Sequence, residues 1–354
     1  MHSGTIARLL IVKWILFLTE LFVKISIIVP CLNEEKTITH LLEGIRGQTY
    51  PLDEVEVVIS DGFSVDNTRI RIADYSQAHP DLAIRVIDNP DRTIPAGLNR
   101  AIKASNAEFI IRLDAHSVPH ADYVVRCVEA LESGKADNVG GIWLIRPGKE
   151  DWIGRSIAQA GSHPLGVGDA RYRFASEPDY VETVPFGAFR RAYLEQIGLF
   201  NESLLSNEDY ELNNRIIQSG GKIWMDPAIK AEYFARPTLT DLAIQYWRYG
   251  YWKAQMLKRF PNSIRLRQAL PPLFVLGLLV LTGLSIFFPP LRGVLIGILV
   301  LYFGILIATS AVIALRKQYL PFIIGVPLAI CVMHVCWGSG FLWSIIPLRH
   351  NDAV

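Results

Sequence analysis

Charge is almost missing from one long part of this sequence. Residues 271–346 carry three charged side chains, Arg292, Arg316 and Lys317, in a chain with 35 basic and 34 acidic residues. Cysteine is scarce as well. Cys31, Cys127, Cys331 and Cys336 show no paired metal-ligand spacing and give no disulfide framework, so all four are assigned to packing. A basic excess is lacking too: the formal net charge is +1, which removes the electrostatic footprint expected of a nucleic-acid binder. No internal repeat and no low-complexity linker interrupts the chain.

Polar punctuation divides the charge-poor region into 270–288, 291–315 and 319–346. Each piece approaches or exceeds the roughly 20 apolar residues that a bilayer-spanning helix requires. Three such lengths in succession predict three transmembrane helices within a membrane region, 261–354. Lys258, Arg259, Arg265 and Arg267 precede the first span, and Arg316 and Lys317 follow the second. The opposite side receives Arg292 and Arg349. That bias places the preceding domain in the cytoplasm and the C-terminus outside. At the other end, "LLIVKWILFLTELFV" (9–23), within an N-terminal hydrophobic segment 1–24, is broken by Lys13 and Glu20, which predicts an interfacial amphipathic helix, with an ordinary helix packed on the domain as the alternative.

Between residues 25 and 133 the pattern alternates. "ISIIVP" (25–30), "VEVVIS" (55–60), "AIRVID" (83–88) and "EFIIRLD" (108–114) are short and rich in β-branched residues. Segments of helical spacing, 34–46, 66–78 and 96–105, separate them. This order predicts an α/β fold: a mostly parallel sheet with helices on both faces, in a domain spanning 25–260. Ligands of such sheets lie beyond the carboxyl ends of the strands. Asn33 and Glu34, Asp61, and Asp114 fall at three of these ends.

Asp114 and His116 stand in "RLDAH". In an extended segment alternate side chains share a side, so the pair can converge on one cation. A carboxylate with an imidazole suits Mn2+ or Mg2+ when phosphate oxygens complete the shell. A strand-end aspartate capping a helix at Pro119 is the competing reading. Asp61 lies in "SDGFSVDNT", where Gly62 permits a tight turn and Asp66 can cap the next helix. Two strand-end aspartates outside one sheet outline a nucleotide-diphosphate pocket. In "NEDYELNNRIIQSGG" (207–221), Glu208 and Asp209 open a helix whose dipole favours ionised carboxylates. In "QYWRYG", Gln245, Arg248 and Trp252 fall along one helical face. The rings of Trp247, Tyr249, Tyr251 and Trp252 suit a membrane interface equally well. His163 and Arg190, in loops between these motifs, are further candidates for acceptor or diphosphate contact, with plain surface roles as the alternative.

The motifs "VPCLNEE", "SDGFSVDNT", "RLDAH", "FGAFRRAYLEQIGLFNE", "NEDYELNNRI" and "QYWRYG" occur in the order found in family 2 glycosyltransferases. The sequence resembles the membrane-bound bacterial exopolysaccharide branch that includes succinoglycan-type glucosyltransferases, over roughly residues 25–260. The resemblance implies a GT-A fold and an inverting transfer from a nucleotide sugar, usually UDP-linked. It also implies that Pro30, Glu34 and Asp61 line the nucleoside, that Asp114 holds the metal, and that Asp209 is the catalytic base with Glu208 beside it. Gln245, Arg248 and Tyr249 match the family's Q-x-x-R-W pattern with tyrosine in place of tryptophan, which implies contact with the acceptor and the leaving diphosphate. Two departures stand out. The usual D-x-D is D-A-H, and the aromatic residue common in P-x-Y-N-E is Leu32.

The resemblance therefore implies an enzyme that transfers a sugar, with glucose the leading candidate, to a polyprenyl-diphosphate-linked saccharide at the bacterial inner membrane. Its partners would be the donor, that acceptor and the bilayer. A processive polysaccharide synthase and a catalytically inactive sugar-nucleotide-binding membrane protein are the alternatives.

Overall fold

A computed structural model describes residues 23–261 and 264–346. The expectation for the N-terminal hydrophobic segment falls on residues outside that description. The strands are β1 (Ile25–Cys31), β2 (Val55–Asp61), β3 (Ala83–Asp88), β4 (Phe109–Arg112), β5 (Ser117–Pro119), β6 (Asn138–Arg146), β7 (Asp179–Tyr180), β8 (Ala188–Arg190) and β9 (Ile223–Phe234). The helices that matter to the site are α1 (Ile38–Arg46), α2 (Thr68–Ala78), α3 (Ile94–Ala104), α4 (Tyr123–Glu132), α5 (Trp152–Gly161), α6 (Glu208–Gln218), α7 (Leu239–Arg259), α8 (Leu266–Phe287), α9 (Pro290–Lys317) and α10 (Phe322–Ile345).

Among the described residues the strands form one mixed sheet, ordered β3-β2-β1-β4-β8-β6-β9-β5, with β7 paired to β9. The first four positions are parallel, and β8 is antiparallel to both β4 and β6. All of β1 but Pro30 is buried, as expected of a strand covered on both faces. α1 buries Ile38, Leu41, Leu42 and Ile45, which recur at helical spacing, and packs against β5 and α2, while α3 packs on β1. α3 opens with Pro95 in its first turn, and Gly97 lets it approach closely, since a Cβ there would lie 3.0 Å from Asn89 Nδ2.

Of the boundaries that differ from the sequence-based expectation, two bear on the site. α1 begins at Ile38 rather than at residue 34, because Glu34–Thr37 form a turn. In that turn the Thr37 hydroxyl donates to Glu34 Oε2 at 2.6 Å, a local bond that competes with helix. β4 ends at Arg112, and Asp114–Ser117 close a turn through Ser117 N–H to Asp114 C=O at 3.0 Å. Pro119 lies in a strand, so the helix that Asp114 was offered as capping does not start there.

The chain groups into two compact units. One comprises the described residues up to Ile142 with Glu177–Glu202 and Leu212–Ala231; the other comprises Trp143–Ser176, Ser203–Glu211 and the described residues from Glu232 onward. Within the second, the three apolar stretches form α8, α9 and α10, each long and apolar enough to cross a membrane. α7 and α10 pack backbone against backbone: a Cβ on Gly340 would meet the Trp247 carbonyl oxygen at 2.1 Å, and one on Gly250 the Trp337 oxygen at 2.0 Å. Small residues at these positions are what let the two backbones approach so closely. His334 in α10 is a packed hydrogen-bonding residue, with Tyr302 Oη 3.0 Å from Nδ1 and the Leu165 carbonyl 2.9 Å from Nε2.

Candidate active site

The chain runs β1, β2, β3 in one direction across the sheet and then places β4 on the other side of β1. Strand order reverses between β1 and β4, so the crevice of this α/β sheet opens beyond their carboxyl ends. Pro30, Glu34, Asp114 and His116 all lie at this point. The loops after β1 and β2 are clamped together there. Asn33 N–H donates to Ser64 Oγ at 2.8 Å, Val65 N–H to Asn33 Oδ1 at 2.9 Å, and Glu35 N–H to Asp66 Oδ2 at 3.2 Å. Asn33 and Phe63 adopt left-handed backbone, φ 56° and 59°. For Phe63 this conformation is costly and is retained only where surroundings over-determine it.

Asp61 is fully buried at the end of β2. Its carboxylate accepts from Arg69 Nε at 2.5 Å and from Ser64 Oγ and N–H at 2.5 and 3.1 Å. Arg69 also reaches Asp88 at 2.6 Å and lies over the Phe63 ring, its Cζ 5.5 Å from the centroid. Asp66 accepts the first helical N–H of α2, from Thr68, at 3.0 Å, but the cap position itself is Asn67, whose side chain makes no cap bond. Leu32 and Phe63 are exposed at this rim, 42% and 40%, so an apolar surface survives where the usual aromatic is missing.

Asp114 and His116 sit on one turn, with Cα atoms no more than about 7 Å apart by chain geometry. The turn, rather than strand alternation, sets their relation. Asp114 Oδ1 accepts from the buried Arg112 Nε at 3.1 Å, and His116 Nδ1 lies 3.1 Å from Glu34 Oε1. Both side chains keep partial exposure, 18% and 28%. The described residues contain no group of three His, Cys, Asp or Glu able to hold an ion by themselves. This donor set, one carboxylate and one imidazole at a sheet crevice, fits a divalent cation whose remaining ligands are phosphate oxygens.

The second unit holds the other motifs. Asn207, with φ 64°, breaks the chain into α6, whose first turn carries Glu208, Asp209 and Glu211. Glu208 is 5% exposed, while Asp209 is half-buried and accepts the Tyr210 N–H at 2.7 Å. Asn207 Nδ2 reaches the Tyr249 carbonyl of α7 at 3.4 Å. On α7, Gln245 Nε2 donates to Tyr249 Oη at 3.0 Å and Tyr233 Oη at 3.3 Å, and Arg248 is exposed. Tyr233 stacks on Trp143 at 4.1 Å, and the guanidinium of Arg173 lies 5.1 Å from the Trp143 ring centroid.

Sequence reasoning missed Lys253. It is fully buried, with Nζ 5.0 Å from the Tyr210 ring centroid, and Arg267 bonds both Tyr210 Oη and Asp169. Burial first, then Arg267 and Arg265, hold the Lys253 pKa down to about 8, while the negative charge of Asp209 opposes them. Nothing in "YWKAQ" sets this lysine apart from a membrane-flanking charge. Arg190 goes elsewhere: it pairs with Glu108 and is in register with Phe109, at the opposite end of β4 from Asp114. His163 accepts the Leu165 N–H at 3.2 Å. Cys31 and Cys127 are buried, which pushes their thiols well up and leaves them packing roles.

A sequence profile of Glycosyl transferase family 2 matches residues 26–198. The succinoglycan biosynthesis protein ExoA of Rhizobium meliloti (strain 1021) is 30% identical over 335 residues, covering 92% of this chain and 96% of that protein. Dolichyl N-acetyl-alpha-D-glucosaminyl phosphate 3-beta-D-2,3-diacetamido-2,3-dideoxy-beta-D-glucuronosyltransferase of Methanococcus voltae is 29% identical over 328 residues, 91% of this chain and 97% of that one. In fold, the chain is similar to a mannosyltransferase from Pyrobaculum calidifontis solved with GDP-Man and Mn2+. That likeness has a TM-score of 0.62 at 19% identity, over 91% of this chain and 88% of the other. With the sheet, the ordered motifs and these relatives together, the chain belongs to glycosyl transferase family 2: it is a glycosyltransferase of GT-A fold with three C-terminal helices able to span a membrane.

Proposed function

We propose that this enzyme adds one sugar, with inversion, from a nucleotide sugar to a saccharide carried on a polyprenyl diphosphate. The reading locates the reaction at the cytoplasmic face of a bacterial inner membrane, with UDP-glucose as the leading donor. The names of the relatives support it: one concerns succinoglycan biosynthesis, and the other specifies a sugar phosphate on dolichol. The observation that supports it most directly is the content of the second unit. Asp209, the α7 helix with Gln245, Arg248 and Tyr249, and all three apolar helices belong to one compact body. A lipid-linked acceptor needs its base and its membrane anchor on the same body.

In this reading Pro30, Glu34 and Asp61 form the nucleoside end of the donor site, with the apolar rim of Leu32 and Phe63 available to the base. Asp114 and His116 would hold Mn2+ or Mg2+, which when bound neutralises the departing diphosphate. Asp209 takes the proton of the acceptor hydroxyl as the anomeric carbon is attacked from behind. Glu208, Gln245, Arg248 and Tyr249 are assigned to acceptor and diphosphate, Glu208 as the neighbour of the base and Arg248 by its charge.

Thin-layer analysis of lipid-linked products made from a panel of radiolabelled nucleotide sugars tests the reading. One discrete added sugar supports it. A ladder would point to a processive synthase, and no product to a binding protein. For orientation, a reporter fused after Lys317 should behave as cytoplasmic and one fused after Val354 as periplasmic. A cytoplasmic C-terminus would reverse that assignment.

A further inference from the structure

Glu34 is held more tightly than a residue that merely lines a nucleoside needs to be. Its N–H donates to Thr68 Oγ1 at 2.8 Å, and its carbonyl accepts from Thr37 and Ile38 N–H at 3.0 and 2.9 Å. One carboxylate oxygen, Oε2, takes the Thr37 hydroxyl at 2.6 Å; the other, Oε1, meets His116 Nδ1 at 3.1 Å across 82 residues of sequence. β1 and β4 are neighbouring parallel strands, so the turns that follow them bring Glu34 and His116 to the same end of the sheet.

A carboxylate fixed against Nδ1 selects the imidazole tautomer protonated at that atom and puts the acceptor lone pair on Nε2. Metal-binding histidines are oriented in this way, and a carboxylate partner also raises their basicity. We propose that Glu34 is a positioning residue for His116, its carboxylate setting ring orientation and tautomer so that Nε2 can bind a divalent cation. The D-A-H sequence then does with a carboxylate–imidazole pair what D-x-D does with a second carboxylate. This rests on the reading of Asp114 and His116 as cation ligands, and it moves Glu34 from the nucleoside to the cation. It carries a consequence for metal choice. Imidazole suits transition-metal ions, whereas Mg2+ prefers oxygen, so the pair favours Mn2+ over Mg2+ more strongly than two carboxylates would.

The test uses the full chain in lipid, with UDP and GDP as probes and Mn2+ binding followed by electron paramagnetic resonance. Glu34→Ala should weaken Mn2+ binding in the presence of nucleotide by about 10–100-fold, the usual effect of removing such a partner. Nucleotide affinity in chelator should stay unchanged, and the preference for Mn2+ over Mg2+ should fall. Glu34→Gln, which keeps the volume, should lie between. In a His116→Asp background Glu34→Ala should cost nothing and should even help, because two facing carboxylates repel. Imidazole 15N shifts, read without metal, should report Nδ1–H at His116 in the parent and a move toward Nε2–H in Glu34→Ala.

An equal loss of nucleotide affinity with and without Mn2+ would return Glu34 to the nucleoside. An unchanged tautomer in Glu34→Ala would overturn the Glu34 assignment alone. Unchanged Mn2+ affinity in Asp114→Ala would overturn the cation reading beneath it, and this proposal with it.

Discussion

Asp209→Asn should leave nucleotide-sugar binding intact and lower turnover by about 10²–10⁴-fold, the usual contribution of a positioned general base. Asparagine nearly matches aspartate in shape and can still accept the Tyr210 N–H that Asp209 Oδ1 takes at 2.7 Å, so α6 keeps its first turn. It cannot take a proton at neutral pH. Donor binding is assigned to Asp61, Asp114 and His116, none of which is altered. The loss should appear in kcat and in kcat/KM alike, as it does when an interaction exists only in the transition state. Glu208→Gln should cost far less, because Glu208 is 5% exposed and its proposed part is local. Near-normal turnover by Asp209→Asn, or a deeper loss from Glu208→Gln in a variant that melts like the parent, would move the base off Asp209.

Asp114→Ala should reduce transfer by on the order of 10³-fold, since fixed charges that stabilise a departing anion contribute about 10²–10³ each. It should also weaken nucleotide binding when Mn2+ or Mg2+ is present, but not in chelator. Part of the cause is local. Asp114 Oδ1 accepts from Arg112 Nε at 3.1 Å, and Arg112 is 5% exposed, so the alanine leaves a buried guanidinium short of a partner. His116→Asp restores the common two-carboxylate pattern and should retain transfer. It separates loss of a ligand from disturbance of Arg112. Full transfer by Asp114→Ala in chelator would remove the cation from the account.

β1, β2 and β4 could be read from the sequence because burial leaves a continuous apolar signature, and β3, an edge strand with no buried residue, through its β-branched run. β1 and β2 extend one residue beyond the predicted runs, and β3 matches its run. The apolar helices could be read for the same reason, since lipid and core each demand an uninterrupted supply of apolar side chains. The turns around the site could not. Glu34–Thr37 looked helical because side-chain bonds such as that of Thr37 to Glu34 Oε2 are invisible to periodicity. Asp114 and His116 were paired by strand alternation, but they stand on a turn. Arg190 lay between the right motifs in sequence and sits at the wrong end of β4. Lys253 resembled a membrane-flanking charge and is fully buried.

By itself the sequence determined the family, through six motifs in order, and the three helices long and apolar enough to cross a membrane, through a long absence of charge. Both are properties of local composition, and each residue reports them without reference to distant ones. Only the tertiary structure decided which side chains meet. The reversal of strand order between β1 and β4 brings Glu34 to His116 across 82 residues, and the packing around α7 sets Lys253 against Tyr210. Such contacts are made by long-range pairing and burial, and these carry no periodic trace along the chain.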